Sequence, residues 1–89
     1  MDAELLNQLK RIYDSIQECW LTLDMGGNEW AFKLAQYTLR QLQELIDQNQ
    51  DELGALSYYV EEAKQSDPLI DGLSDILEQL NMLGVDVDE

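Results

Sequence analysis

The chain has 89 residues, of which 45% are hydrophobic and 27% charged, values that fit one globular domain with its own core and argue against disorder. The charge is unusual: 19 acidic residues face 5 basic ones, with no His, for a net charge of −14. That balance excludes direct binding to a nucleic-acid backbone or an anionic membrane, because both need Lys and Arg to neutralise phosphate. A single cysteine, Cys19, cannot close an internal bridge, and a secreted domain this small usually carries several. The N-terminus lacks a basic segment followed by an apolar one, and no window approaches about 18 consecutive apolar residues. The expectation is a cytoplasmic protein that does not span a membrane.

Leu5, Leu9, Ile12, Ile16, Cys19 and Leu23 recur at alternating spacings of four and three, which is a helix period. Leu6, Tyr13 and Trp20 form a second column that widens the apolar stripe beyond a coiled-coil seam. The pattern predicts a helix over about 3–25, closed by Gly26 and Gly27, with Asn28 capping the next. The second helix, 29–48, carries apolar residues at Trp30, Ala31, Leu34, Ala35, Leu39, Leu42, Leu45 and Ile46. They spread over more than half the helical circumference. This helix is either the most enclosed element or one with surface left for a partner.

A break is expected at Asn49, which with Glu52 three residues later makes a capping-box-like start for a third helix over 50–65. That helix should bury Leu53, Leu56, Tyr59, Val60 and Ala63, with Gly54 weakening it by about 1 kcal/mol relative to Ala. Tyr58 projects to the other side, with Asp51 and Glu62. Ser66-Asp67-Pro68 reads as a helix start in which Asp67 caps and Pro68 takes the first helical position. The fourth helix, 68–83, places Leu69, Leu73, Ile76, Leu80 and Leu83 in one stripe, and Gly84 closes it. These elements predict an all-α fold: an antiparallel four-helix bundle forming a single domain over 1–84, with an acidic tail over 85–89 whose valines could dock on the core. The wide apolar stripes and two Trp leave a homodimer as the alternative.

The charge is polarised along the chain. Residues 1–40 hold 6 acids and 4 bases, whereas residues 41–89 hold 13 acids and 1 base, Lys64. At 100° per residue Asp67, Asp71, Asp75 and Glu78 fall within about 80° of one another, opposite the Leu and Ile stripe. A solvated face explains part of this. Like charges four residues apart nevertheless repel, and a one-signed surface is suited to steering an oppositely charged partner.

Other chemistries find little support in the residues. There is no HExxH, CxxC or EF-hand pattern, so no cofactor is expected, and only a weak divalent-cation site among Asp86, Asp88 and Glu89 can be drawn. Cys19 lies on a core seam without an activating base, and a bundle this small offers no obvious cleft for desolvating a catalytic carboxylate. No enzymatic activity is expected. Among the aromatics, Tyr13, Trp20, Trp30, Tyr37 and Tyr59 read as core or core edge, while Tyr58 and Phe32 do not. Tyr is enriched in binding hot spots.

In size, acidity and helicity the chain resembles the small acidic inhibitors that bacteria and phages direct against nucleases, including immunity proteins, antitoxins and nucleic-acid mimics. Tyr58-Tyr59 resembles the paired tyrosines of some nuclease immunity proteins, without the motif that surrounds them there. The expected function is a binding or inhibitor protein that sets Asp51, Tyr58, Glu61, Glu62, Asp67, Asp71, Asp75 and Glu78 against a basic protein surface, such as that of a nuclease or other nucleic-acid-binding protein. The alternative is an assembly or chaperone-like subunit acting through the apolar surface around Trp30 and Leu34.

Overall fold

The 4–3 spacing of the first segment produces the helix it predicts. The computed structural model describes residues 3–26 and 29–85, and all of its regular elements are helices: α1 (Ala3–Asp24), α2 (Glu29–Gln48), α3 (Gln50–Leu53), α4 (Leu56–Lys64) and α5 (Leu69–Met82). Each limit of the expected helices is met within one residue, but the expected third helix is divided into α3 and α4. Both Gly54 and Ala55 keep right-handed helical dihedrals, and the Ser57 amide bonds the Gly54 carbonyl in a tightened turn. Gly54 is more than a weak helix former here, since an added Cβ would lie 2.7 Å from the Gln50 carbonyl oxygen.

α1 packs against α2 and α5, α4 packs against the same two neighbours, and α3 packs on α2. Gln8 and Arg11 line one groove with Glu44 and Gln48, so the start of α1 lies beside the end of α2. The radius of gyration, 12.2 Å, is close to the roughly 12 Å expected for a folded chain of this length. The core collects Leu5, Leu9, Ile16 and Cys19 from α1 with Leu39, Leu42 and Ile46 from α2. To these are added Leu53, Val60 and Ala63, then Leu73, Ile76 and Leu80 from α5. Removing each fully buried Leu or Ile from water contributes about 2 kcal/mol, and this burial holds the short helices α3 and α4 in place. Two buried hydroxyl-bearing side chains find partners. The Thr38 hydroxyl donates to the Leu34 carbonyl at 2.8 Å, and Nδ2 of exposed Asn81 donates to the hydroxyl of buried Tyr13 at 3.1 Å, tying α5 to α1.

The helix ends depart from the expected capping. Asn49 places no side-chain bond on α3; its Nδ2 instead donates to the Leu45 carbonyl at 2.9 Å, closing the end of α2. Its backbone carbonyl accepts from Glu52 and Leu53 and so still opens α3. Asp67 is not a cap either. Pro68, with φ −77° and ψ 153°, stands at the N-cap position in extended conformation, and α5 begins at Leu69. The bond that shapes this corner runs from the Ser66 hydroxyl to the Pro68 carbonyl, 2.7 Å. Asp67→Ala is accordingly expected to leave the melting midpoint unchanged to within about 1 °C, in place of the several degrees that losing a cap would remove. A fall of several degrees in a thermal melt would show that Asp67 does hold the turn.

Gly26 and Gly84 close α1 and α5 with φ of 121° and 92°, a backbone region that L side chains rarely adopt. At α5 the closure is a Schellman turn, with the Val85 amide on the Leu80 carbonyl and the Gly84 amide on the Asn81 carbonyl. The turn corrects one expectation and meets another: Leu83, expected in the buried stripe, is 39% exposed, while Val85, a tail residue expected to be able to dock on the core, is fully buried. The Asn28 cap, Val87 and the carboxylates of Asp86, Asp88 and Glu89 lie outside the described residues.

Candidate functional site

The outer face of α5 follows from its inner one. Gly72, Leu73, Ile76 and Leu80 are buried, and at 100° per residue Asp71, Asp75 and Glu78 stand on the opposite side, all exposed. Asp67 precedes the helix, so it adjoins this row without belonging to its helical register. Met82, four residues after Glu78 and 73% exposed, continues the row with an apolar side chain, a feature the charge pattern alone concealed.

α4 packs beside α5, burying Leu56, Val60 and Ala63 and leaving Tyr58, Glu61 and Glu62 outside. Tyr58 is 64% exposed, its hydroxyl donates to Glu62 Oε2 at 3.1 Å, and its ring meets Tyr59 edge-on at 5.2 Å between centroids. The hydrogen bond to Glu62, with the charge of that carboxylate, pushes the Tyr58 phenol above its ordinary pKa. Asp51 is also exposed but sits on the separate helix α3. The structure therefore places Tyr58, Glu61 and Glu62 on one helix and Asp71, Asp75 and Glu78 on its neighbour, with Asp67 at the corner between them.

Neutralisation is sparse. Among the described residues there are two ion pairs, Lys33 with Glu29 at 3.4 Å and Lys64 with Glu61 at 3.9 Å, both exposed and within a single helix. Such pairs contribute little. Among the described residues the carboxylates of α5 make no ion pair, so self-repulsion should dominate the surface electrostatics. The melting midpoint is expected to be higher in about 0.5 M than in about 0.02 M NaCl, because salt screens repulsion. A flat or falling midpoint, reproduced in a second monovalent salt, would contradict this.

Among the described residues no group of His, Cys, Asp and Glu is arranged to hold a metal ion. Cys19 is fully buried, and burial, reinforced by Glu18, pushes its thiol pKa up, which keeps it protonated and unreactive. No described helix is long and apolar enough to cross a membrane.

The aromatic assignments need correction on α2. Trp30 and Tyr37, read as core or core edge, are 57% and 50% exposed, and Phe32 is 43% exposed, as the sequence indicated for it. Trp30, half-buried Leu34 and Tyr37 fall within about 60° on the helical wheel, and Gln41 Nε2 donates to the Tyr37 hydroxyl at 3.0 Å. The apolar arc of α2 is wider than its neighbours can cover.

Comparison with known proteins yields no relative. No family model matches the chain, and no curated protein or solved structure matches it. The functional reading rests on the residues themselves.

Proposed function

We propose that the protein is a non-enzymatic, cytoplasmic binding protein of phage or bacterial type that lays the carboxylate face of α4 and α5 on a basic protein surface. It inhibits that partner by occupying the place of nucleic acid. The observation that supports this reading is the row of Asp71, Asp75 and Glu78, exposed and with no ion pair among the described residues, on a helix that packs against the one carrying exposed Tyr58. Asp71 and Asp75 stand about 6 Å apart along the helix axis, and Asp75 and Glu78 about 4.5 Å, so α5 carries a row of like charges, as a phosphate backbone does, at a wider spacing than the roughly 3.4 Å per strand of duplex DNA. Tyr58 and Met82 add the rigid and apolar contacts that convert charge attraction into a docked complex. In this reading the four longer helices serve as a monomeric antiparallel bundle that keeps the acidic face rigid.

One observation favours a second reading. The Trp30–Leu34–Tyr37 stripe is an apolar surface of the kind used by helical assemblies, as a homodimer or against a partner helix. Salt separates the two. Protein retained from a native lysate on the immobilised chain should elute between about 0.05 M and 0.5 M NaCl and be displaced by added nucleic acid if charge mimicry governs binding. Retention indifferent to both salt and nucleic acid would reject it in favour of the apolar stripe.

A further inference from the structure

Two of the five basic residues of this acidic chain meet in one place. Arg40 from α2 and Lys64 from the end of α4 line one cleft of about 450 Å³, within the size range of small-ligand pockets. Its apolar lining comes from the half-open Phe32 ring, buried Leu39 and half-buried Leu69, and Gln36 adds an amide at the rim. Ser66 also borders the cleft, but its hydroxyl proton is committed to the Pro68 carbonyl. Among the described residues Arg40 makes no ion pair or hydrogen bond through its guanidinium. Lys64 has only the long, exposed contact with Glu61. A guanidinium and an ammonium beside a cleft with one apolar wall, neither firmly held, match a ligand that carries an anionic head on a small apolar body.

We infer that this cleft binds a small organic monocarboxylate, its carboxylate directed at Arg40 and Lys64 and its ring or short acyl chain lying on Phe32 and Leu69, above buried Leu39. A single negative charge is favoured because Glu61 and Asp67 stand nearby in sequence and the whole chain carries −14, which opposes a second or third anionic group. The inference is independent of the acidic face of α4 and α5.

Titration of the full chain with 3-phenylpropionate, followed by backbone amide NMR, tests it. Saturable shifts are expected at Gln36, Arg40, Ser66 and Leu69, with the neutral analogue 3-phenylpropanamide binding about tenfold more weakly. Arg40→Gln and Lys64→Gln should each weaken 3-phenylpropionate binding by about fivefold to tenfold while leaving the rest of the spectrum in place. Arg11→Gln, which removes the same charge from another groove, should leave it unchanged. Equal binding of acid and amide, shifts that never saturate, tighter binding of pyrophosphate, or indifference to Arg40→Gln would each overturn the inference.

Discussion

Gly72→Ala is expected to lower the melting midpoint by about 10 °C, a larger effect than any exposed substitution in the chain should have. Gly72 is buried where α5 meets α4, and a Cβ built there would lie 2.6 Å from Ala63 Cα, 2.9 Å from Ala63 Cβ and 3.1 Å from Ser66 Cβ. Two opposing effects compete. Replacing Gly by Ala inside a helix gains about 1 kcal/mol of propensity, whereas overpacking a tight contact costs about 1–3 kcal/mol. The nearest obstacle is backbone, which cannot swing aside as a flexible side chain would, so the cost falls at the upper end. The two helices must separate, and the packing of Leu73 and Ile76 against the core loosens with them. Ser74→Ala, on an exposed position of the same helix, should instead raise stability by a few tenths of a kcal/mol. A Gly72→Ala midpoint equal to or above that of the parent would show that α4 and α5 part without loss.

That contact marks the boundary of what the sequence reveals. Periodicity located α1, α2 and α5 to within a residue, because those helices bury one long stripe and their signal is repeated over several turns. Gly72 carries no such signal: its role depends on Ala63 lying across from it, which is set by how two helices pack. The capping residues show a second limit. Asn49 and Asp67 both have the chemistry of N-caps, yet the side chain of one closes the preceding helix and the other precedes an extended Pro68 that already sets the corner. Local preference worth about 1 kcal/mol yields to packing of greater weight. Exposure on α2 shows a third. The helical wheel fixes the angular position of Trp30 and Tyr37, but only the neighbours decide how far around the helix burial extends. The acidic row was legible because charge on α5 follows the same period as its buried stripe. The Arg40–Lys64 cleft was not, since its cations come from separate helices.

Converting Asp71, Asp75 and Glu78 together to their amides is expected to weaken the complex with a basic partner by about a hundredfold at low salt. Three charges at roughly 7 Å from cations across an interface, at an effective dielectric between those of water and protein surface, supply about 0.6–2 kcal/mol each. Screening and the entropy of holding side chains reduce the sum to about 3 kcal/mol. The loss should appear partly in the association rate, because these residues form one row and act on the same approaching field, and the complex should become less sensitive to salt. The amides also relieve repulsion within α5, so the isolated variant should melt no lower than the parent, which separates lost binding from lost folding. Glu4, Asp14 and Asp24 are exposed on α1, and their conversion to amides removes the same charge from the less acidic half. A much smaller loss is expected for that variant at the same low salt, because its carboxylates lie on another helix outside the row, and that loss should vanish at about 0.15 M, where distant charge is screened. Equal losses in both triple variants would mean that total charge, and not the α5 row, attracts the partner. If both are harmless while Trp30→Ala and Leu34→Ala abolish the complex, the carboxylates are a solvated face and the stripe on α2 is the interface.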